Sequence, residues 1–275
     1  MNIKNILIVL GEPYSTFSEI IGKYFVKKKN FKKKIILIGN YNILKKQLTK
    51  LNYILPLKKI HDVNDAQGKF INIIDITFKH KKIFDKISDK SNKYIEDSFK
   101  KALEILKNYK KTVLINGPIS KKTFLNKKYL GITEYLSKKT NSKNEVMLIY
   151  NKTLSVSPLT THIPIKYVAK RISKEKIIKN VIKIDRFYKL LFKKKVKIAV
   201  LGLNPHCETV DKFSEENKII IPSIKKLKNQ RIHVDGPYSA DTFFIKKNIN
   251  YYDVVVGMYH DQVLAPIKTM YNFDA

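Results

Sequence analysis

Residues 198–206 read Ile-Ala-Val-Leu-Gly-Leu-Asn-Pro-His, a short apolar run that leads through a glycine into a polar turn. The run is too short for a helix and too apolar for a loop, so it predicts a strand covered on both faces. Two other stretches share this layout: Ile115 precedes residues 116–121, and Val256 precedes residues 257–262. Because ligands of open α/β sheets bind beyond the carboxyl ends of the strands, these turns are candidate site segments.

Short β-branched runs alternate with segments of helical period along the chain, which is the pattern of an α/β protein with crossover helices. The helical segments 95–106 and 177–191 have apolar faces that we interpret as core. A domain boundary is predicted near Gly117 and Pro118. Seven strands are predicted, at residues 6–9, 35–38, 71–74, 113–115, 146–149, 198–201 and 254–256.

Composition limits the class of protein. The chain has 275 residues, of which 44% are hydrophobic, so it can bury one large core or two moderate ones. No run approaches the roughly 18 apolar residues of a membrane span, and the first residues lead directly into a strand rather than a signal peptide. We therefore expect a globular cytoplasmic protein with no membrane association. The single cysteine, Cys207, agrees with a reducing compartment.

The formal net charge of +32 raises the question of nucleic-acid binding. The 55 basic residues include only three arginines, Arg171, Arg186 and Arg231, whereas specific recognition of bases and phosphates favours the arginine fork. An excess of lysine alongside many Ile and Asn residues is typical of a codon bias. We expect no specific nucleic-acid partner, and only weak, salt-sensitive binding of polyanions.

Three histidines, His162, His206 and His260, fall where the sequence indicates that a strand ends. Imidazole is the commonest protein ligand for zinc and similar metals, and a catalytic site needs about three protein ligands with one position left open. The pattern predicts that these side chains bind one divalent metal. A single histidine after a strand is more often an ordinary surface residue. We assign that role to His61, His80 and His233.

Four motifs occur in order, at residues 160–164 (Thr-Thr-His-Ile-Pro), 203–206 (Leu-Asn-Pro-His), 235–242 (Asp-Gly-Pro-Tyr-Ser-Ala-Asp-Thr) and 258–262 (Met-Tyr-His-Asp-Gln). With them the chain resembles the 4-hydroxythreonine-4-phosphate dehydrogenase family of pyridoxal phosphate synthesis. The resemblance implies an isocitrate/isopropylmalate-dehydrogenase-like α/β fold, with two α/β domains flanking a cleft. We expect these domains to be residues 1–118 and 119–275, the second holding the metal ligands and the dimer contacts.

The resemblance also implies a homodimer with shared active sites. By this resemblance His162, His206 and His260 match the family's metal-binding histidines, and His260 reaches the site of the other subunit. Asp241 matches an acidic residue near that metal. The implied cofactors are NAD or NADP and a divalent metal, namely zinc, magnesium or cobalt.

Three further positions match substrate contacts of the family. Thr133 matches a substrate-binding threonine, Lys268 matches a lysine that holds the substrate phosphate, and Lys121 lies in a matching Gly-Pro-x-x-Lys segment. The implied reaction is the oxidation of 4-phosphohydroxy-L-threonine, followed by loss of carbon dioxide from the 3-keto acid. In it the nicotinamide takes the hydride, and an ammonium group offsets the charge of the substrate phosphate.

The chain departs from the family at several positions. The family continues for a substantial segment beyond Ala275, which we expect to complete the sheet of the first domain and to supply much of the nicotinamide site. Ile132 replaces a histidine before the substrate threonine, and residues 207–210 replace a glycine-rich continuation. Two alternatives therefore stay open: a dehydrogenase of another phosphorylated four-carbon hydroxy acid, such as threonate or erythronate 4-phosphate, and a non-catalytic remnant.

Overall fold

Two compact units make up the chain. The computed structural model describes residues 3–27, 33–126, 128–129, 131–142, 145–208 and 210–272. The first unit is Met1–Asn141 and the second is Ser142–Ala275. Residues 119–141, which the sequence prediction assigns to the second domain, thus lie in the first unit, where Leu125 and Tyr135 are buried in its core. The isocitrate-dehydrogenase-like arrangement of two domains around a cleft stays a prediction.

The first unit contains a five-stranded parallel sheet in the order β3-β4-β2-β1-β5. Long apolar runs form its central strands, and helices cover both faces, as a parallel sheet requires. The elements in chain order are β1 (Asn5–Val9), α1 (Phe17–Lys27), β2 (Lys34–Gly39), α2 (Tyr41–Lys50), β3 (Leu57–Ile60), β4 (Ile71–Asp75), α3 (Asn92–Asn108), β5 (Thr112–Asn116) and α4 (Ile132–Lys139).

The second unit contains a four-stranded parallel sheet in the order β6-β9-β7-β8. Short 3₁₀ and π turns connect several of its elements, including a π turn at Glu216–Ile220. The elements in chain order are β6 (Ser155–Pro158), α5 (Val168–Arg171), α6 (Lys174–Phe192), β7 (Ile198–Leu201), α7 (Ile221–Asn229), β8 (Val234–Tyr238), α8 (Ala240–Phe243), α9 (Lys246–Tyr251), β9 (Val254–Gly257) and α10 (His260–Tyr271).

The core of the second unit lies on both faces of this sheet. All four residues of β7 are fully buried, as the continuous apolar run predicts. On one face Ile198 and Val200 pack with α6 and α7, and on the other Ala199 and Leu201 pack with α8, α9 and α10. The strand ends that hold the candidate residues are thus supported by packed apolar layers.

Gly236 makes the irregular pairing of β8 with β7 possible. Its φ is +136°, a region reserved for glycine, and a Cβ atom there would lie 2.3 Å from the carbonyl oxygen of Val200. The register shifts at this point, so that Leu201 pairs with Tyr238. The chain then leads through Ser239 into α8, which contains Asp241.

Six of the seven predicted strands are present, and the strand predicted at residues 146–149 is wrong. Residues 146–149 form no strand of the sheet. Only Ile149 pairs, in a single antiparallel bridge with Val156. The sequence prediction missed β3, β6 and β8. Both predicted helical segments lie within α3 and α6. Among the described residues, no helix has the length and apolar character needed to cross a membrane.

Candidate functional site

The loops after β6 and β7 contain two of the predicted metal-binding histidines, and the loop after β9 leads to the third. Because these strands are parallel neighbours, the loops emerge at the same edge of the sheet. His162 follows β6, His206 follows β7, and His260 is the first residue of α10 after β9. The parallel order of the sheet therefore brings three segments that are distant in sequence to one edge.

Thr160 joins the loop after β6 to the loop after β9. Its backbone amide and its hydroxyl both donate hydrogen bonds to the carbonyl oxygen of Met258, at 3.2 and 2.7 Å. Thr160 is 3% exposed, so this is a buried connection. It fixes the chain two residues before His162 to the chain two residues before His260.

Gln262 extends the connection to the third loop. Its side-chain oxygen accepts from the Met258 amide at 2.7 Å, and its side-chain nitrogen donates to the carbonyl oxygen of Gly202 at 2.7 Å. Gly202 lies directly after β7, in the turn that leads to His206. One buried amide side chain thus satisfies backbone groups of two loops, which holds them in a common frame.

His162 and His260 lie side by side. Their ring centroids are 5.7 Å apart and the rings are inclined at 41°. His162 has a φ of +48°. Left-handed backbone is uncommon for residues other than glycine, and it occurs often at functional sites. The Nδ1 atom of His260 lies 2.7 Å from the Oδ1 atom of Asp261.

His206 lies next to Asp241. Its Nδ1 atom is 3.6 Å from the Asp241 Oδ2 atom, and its φ is +55°. Both side chains are largely exposed, at 81% and 54%. The Ser239 hydroxyl donates to the Asp241 carboxylate, and this bond, with His206 nearby, lowers the pKa of Asp241 below its ordinary value. The carboxylate therefore stays ionised at neutral pH.

The turn that contains His206 is held by a buried acid that the sequence analysis does not single out. Glu216, fully buried at the start of the π turn Glu216–Ile220, accepts hydrogen bonds from the backbone amides of Leu203 and Asn204 at 2.7 and 2.8 Å. The side chain of Asn204 also donates to it, at 2.7 Å. No motif marks this residue, because its partners lie 12 and 13 positions away.

The described residues contain no group of three or more His, Cys, Asp or Glu side chains that could hold a metal ion. One chain instead presents two pairs, His162 with His260 and His206 with Asp241. The donor types suit a divalent transition metal, since imidazole nitrogen and carboxylate oxygen are its usual ligands. The two Nδ1-to-carboxylate contacts leave Nε2 of His206 and His260 facing away from the carboxylates, which is the usual orientation of metal-binding histidines.

The three predicted substrate residues lie in both units. In the first unit Lys121 follows β5, and Thr133 lies in the first turn of α4. In the second unit Lys268 lies in α10, two turns after His260. All three residues are exposed. Their roles stay predictions.

Cys207 and Ile132 were not predicted as site residues. Cys207 has a φ of +55° and is partly exposed, and burial raises the pKa of its thiol, so it is a weak nucleophile at neutral pH. Ile132 packs against the core of the first unit at the start of α4. The isoleucine next to Thr133 thus adds to the apolar packing of the first unit.

Residues 31–275 match the family model of the pyridoxal phosphate biosynthetic protein PdxA. A 4-hydroxythreonine-4-phosphate dehydrogenase from Sulfurihydrogenibium is 35% identical over 270 residues, which cover 96% of this chain and 82% of that protein. One from Aquifex aeolicus is 34% identical over 282 residues, covering 98% and 84%. The crystal structure of a 4-hydroxythreonine-4-phosphate dehydrogenase from Burkholderia phymatum aligns with a TM-score of 0.82 at 25% identity, covering 98% of this chain and 84% of that one.

The parallel α/β fold and these relatives define the class of protein, a dehydrogenase that acts on a CH–OH group with a nicotinamide cofactor. Within that class the chain belongs to the PdxA family of pyridoxal phosphate biosynthesis. The sequence-based assignment to this family is thereby confirmed.

Proposed function

We propose that this protein oxidises 4-phosphohydroxy-L-threonine to 2-amino-3-oxo-4-phosphooxybutanoate with NAD or NADP. Loss of carbon dioxide from this keto acid then gives 3-amino-2-oxopropyl phosphate, a precursor for pyridoxal 5'-phosphate. The family match supports the route, and the names of the relatives support the substrate. The observation that carries the proposal is that His162, His206 and His260 all follow parallel strands at one edge of the second sheet, with His162 beside His260.

We further propose a divalent metal at this edge, held in a homodimer. His162 and His206 would be contributed by one subunit and His260 by its partner. The chemistry supplied by such an ion, when bound, is Lewis-acid stabilisation of negative charge on the substrate oxygen. This division between subunits follows the resemblance to the family; within one chain His162 lies beside His260, and His206 lies beside Asp241.

The chain's own residues would orient the reaction. Asp241, whose pKa is lowered by the hydrogen bond from Ser239, lies 3.6 Å from the Nδ1 atom of His206 and would favour the orientation in which Nε2 is directed away. Lys268 lies eight residues beyond His260, which is a rise of about 12 Å along a helix. Its ammonium group would hold the substrate phosphate, with Lys121 and Thr133 as further substrate contacts.

Metal content tests the site directly. The wild-type protein should hold about one zinc or cobalt ion per subunit after dialysis, and His206→Ala and His260→Ala should each lose most of it, because a three-ligand site does not survive the loss of one ligand. His233→Ala is the matched control, since His233 is an exposed histidine directly before β8. Unchanged metal content in both site variants would contradict the proposal.

Mixing variants tests the shared site. His162→Ala and His260→Ala should each be inactive with 4-phosphohydroxy-L-threonine and NAD or NADP. A mixed dimer contains one site with both ligands intact, so mixing should restore up to roughly a quarter of wild-type turnover if subunits exchange at random. Activity that stays at the level of the separate variants, despite demonstrated subunit exchange, would argue against ligands from two subunits.

A second candidate function is oxidation of another phosphorylated four-carbon hydroxy acid. Ile132 favours it, because an apolar side chain stands next to Thr133 where the related family has a histidine. Side-by-side turnover of 4-phosphohydroxy-L-threonine and of threonate and erythronate 4-phosphates separates the two. Turnover of the second group alone would replace the first proposal.

A further inference from the structure

We propose that Glu216 is a positioning residue that sets the place of His206 through the turn between β7 and that histidine. The inference rests on the proposed function, because it takes His206 to be a metal ligand. It adds a residue that lies outside the four sequence motifs and is hydrogen-bonded to Leu203 and Asn204, just before His206 in the chain.

Both carboxylate oxygens of Glu216 are used. Oε1 accepts from the amides of Leu203 and Asn204 at 2.7 and 2.8 Å, and Oε2 accepts from the Asn204 side chain at 2.7 Å. Glu216 is fully buried. A buried carboxylate is stable only when its oxygens are hydrogen-bonded, so the acid and the turn depend on each other.

The surrounding chain is shaped to receive this carboxylate. A Cβ atom on Gly202 would lie 3.0 Å from the Glu216 Oε1 atom, closer than side chains normally pack. Glu216 also begins the π turn that leads into α7, and a negative charge at the start of a helix is favoured by the helix dipole. The position of Glu216 at a helix start therefore favours its charge in addition to the hydrogen bonds from the turn.

The link from Glu216 to His206 is short. Asn204 is held on its backbone amide and its side chain, and it is followed by Pro205, whose φ is restricted by its ring. The Cys207 amide donates back to the Asn204 carbonyl oxygen at 3.2 Å, which closes the turn around His206. His206, with its left-handed backbone, is thus fixed by the residue two positions before it.

Glu215 provides a matched control. It is the neighbouring residue, and it accepts one bond from the Asn204 side chain at 2.9 Å. Glu215→Gln keeps an acceptor for that bond. Glu216→Gln places an amide NH2 group, which donates, where one of the two accepting oxygens lies. At least one donor of the turn therefore loses its acceptor. Both variants remove one negative charge from the same turn of chain.

The test measures Co²⁺ binding and its visible absorption spectrum in the full chain, together with melting temperature. Glu216→Gln should bind Co²⁺ at least about tenfold more weakly with an altered spectrum, the usual effect of losing a group that orients a ligand. Glu215→Gln should stay within about twofold of wild type. Turnover of 4-phosphohydroxy-L-threonine should follow the same order. If Glu216→Gln fails to fold, Glu216→Asp, which keeps the charge on a shorter side chain, replaces it.

Wild-type Co²⁺ affinity and spectrum in a folded Glu216→Gln protein would overturn the inference, and so would an equal loss in both variants. A wild-type protein that binds no Co²⁺ would contradict the proposed function instead. Positioning is then read from hydrogen exchange at the amides of Leu203 and Asn204. Their protection should fall in Glu216→Gln and persist in Glu215→Gln, and unchanged protection in the former would again overturn the inference.

Discussion

Gln262 satisfies buried backbone groups of two loops at once, the amide of Met258 and the carbonyl oxygen of Gly202. Gln262→Met keeps the approximate size of the side chain and leaves both backbone groups without these partners. Each lost partner of a buried group costs about 1–3 kcal/mol, so the loss of two should lower the free energy of unfolding by about 2–6 kcal/mol. Urea denaturation followed by circular dichroism measures it.

The control for this prediction is Gln230→Met. Gln230 is an exposed glutamine of the same unit, at the end of α7. A surface substitution of this kind should change the free energy of unfolding by less than about 0.5 kcal/mol. Equal effects of the two substitutions would mean that the Gln262 hydrogen bonds contribute nothing specific to stability.

Glu12, in the first unit, gives a prediction about pH. Glu12 is 2% exposed, and its carboxylate accepts hydrogen bonds from the Ser91 hydroxyl and the Tyr14 amide. Burial raises the pKa of this carboxyl above its ordinary value of 4.5. The folded state then holds a proton that the unfolded state releases as the pH rises through 4.5. Below pH 4.5 the contribution of Glu12 to the free energy of unfolding is at its full value. It declines as the pH rises and levels off once the pH exceeds the pKa of Glu12 in the folded state.

Glu12→Gln should remove this pH dependence, because the amide does not ionise. We expect the variant to gain stability relative to wild type as the pH rises from about 4.5 towards neutrality. Urea denaturation of both proteins across that range gives the difference in free energy of unfolding. A difference that is independent of pH would show that Glu12 has the same pKa in the folded and unfolded chain.

At the scale of elements, the start of α6 depends on Ser173. Its backbone is extended, and its hydroxyl accepts from the Lys176 amide at 3.2 Å. Because α6 covers one face of the second sheet, a weaker start should lower the stability of that unit. We expect Ser173→Ala to cost about 1 kcal/mol in urea denaturation.

Ser173→Asp tests whether the effect comes from capping of the helix start or from another contact of the serine hydroxyl. Aspartate also accepts from the amides of the first turn, and its charge is favourable at a helix start, so this variant should match wild type within about 0.5 kcal/mol. A loss as large as that of the alanine variant would mean that the hydroxyl acts through another contact.

The strands show what an amino-acid pattern predicts well. β7 is a continuous apolar run, and it is a buried central strand. β6 was missed because Ser155 and Ser157 interrupt its apolar residues. Both serines are fully buried, and hydrogen bonds make this burial tolerable. Tyr188 donates to the Ser155 hydroxyl, and Ser157 donates to the Met147 carbonyl oxygen. Such partners lie elsewhere in the sequence, so local pattern gives no sign of them.

Residues 146–149 were predicted as a strand for the opposite reason. They are apolar, yet they lie outside the sheet and pair only through Ile149. Val146 and Leu148 instead pack against the core as partly buried side chains. An apolar run shows that a segment is covered, but not whether it is covered by hydrogen-bonded neighbours.

The candidate site divides in a similar way. His162, His206 and His260 were proposed from their places at strand ends and then from the order of the motifs around them, and their role as ligands stays a prediction. The support of those turns was not found, since Glu216 is bonded to residues 12 and 13 positions away. Gln262 belongs to one of the motifs, but the sequence does not show that it connects two loops. That follows from the pairing of β9 with β7, which brings Gly202 within hydrogen-bond distance of its side chain.

The net charge of +32 belongs to the whole molecule and leads to a prediction about polyanions. Nearly all of the basic residues are lysines, which act as point charges and do not read bases. Two DNA duplexes of unrelated sequence should therefore bind with affinities within about threefold of each other, and binding should weaken steeply between 50 and 200 mM salt. Fluorescence anisotropy titrations at several salt concentrations measure this. A preference of a hundredfold or more for one sequence near physiological salt would contradict it.

The position of β6 at the edge of the second sheet affects how the chain folds during synthesis. Its parallel partner is β9, and the Thr160 and Met258 residues that join their loops lie 98 positions apart. At typical rates of about 5–20 residues per second, the ribosome needs about 5–20 s to make that interval. Until then, the only other strand-type pairing that the described residues offer to β6 is the Ile149–Val156 bridge. A nascent chain thus exposes an unpaired strand edge for that period, and a binder of extended segments, such as a chaperone, has time to occupy it.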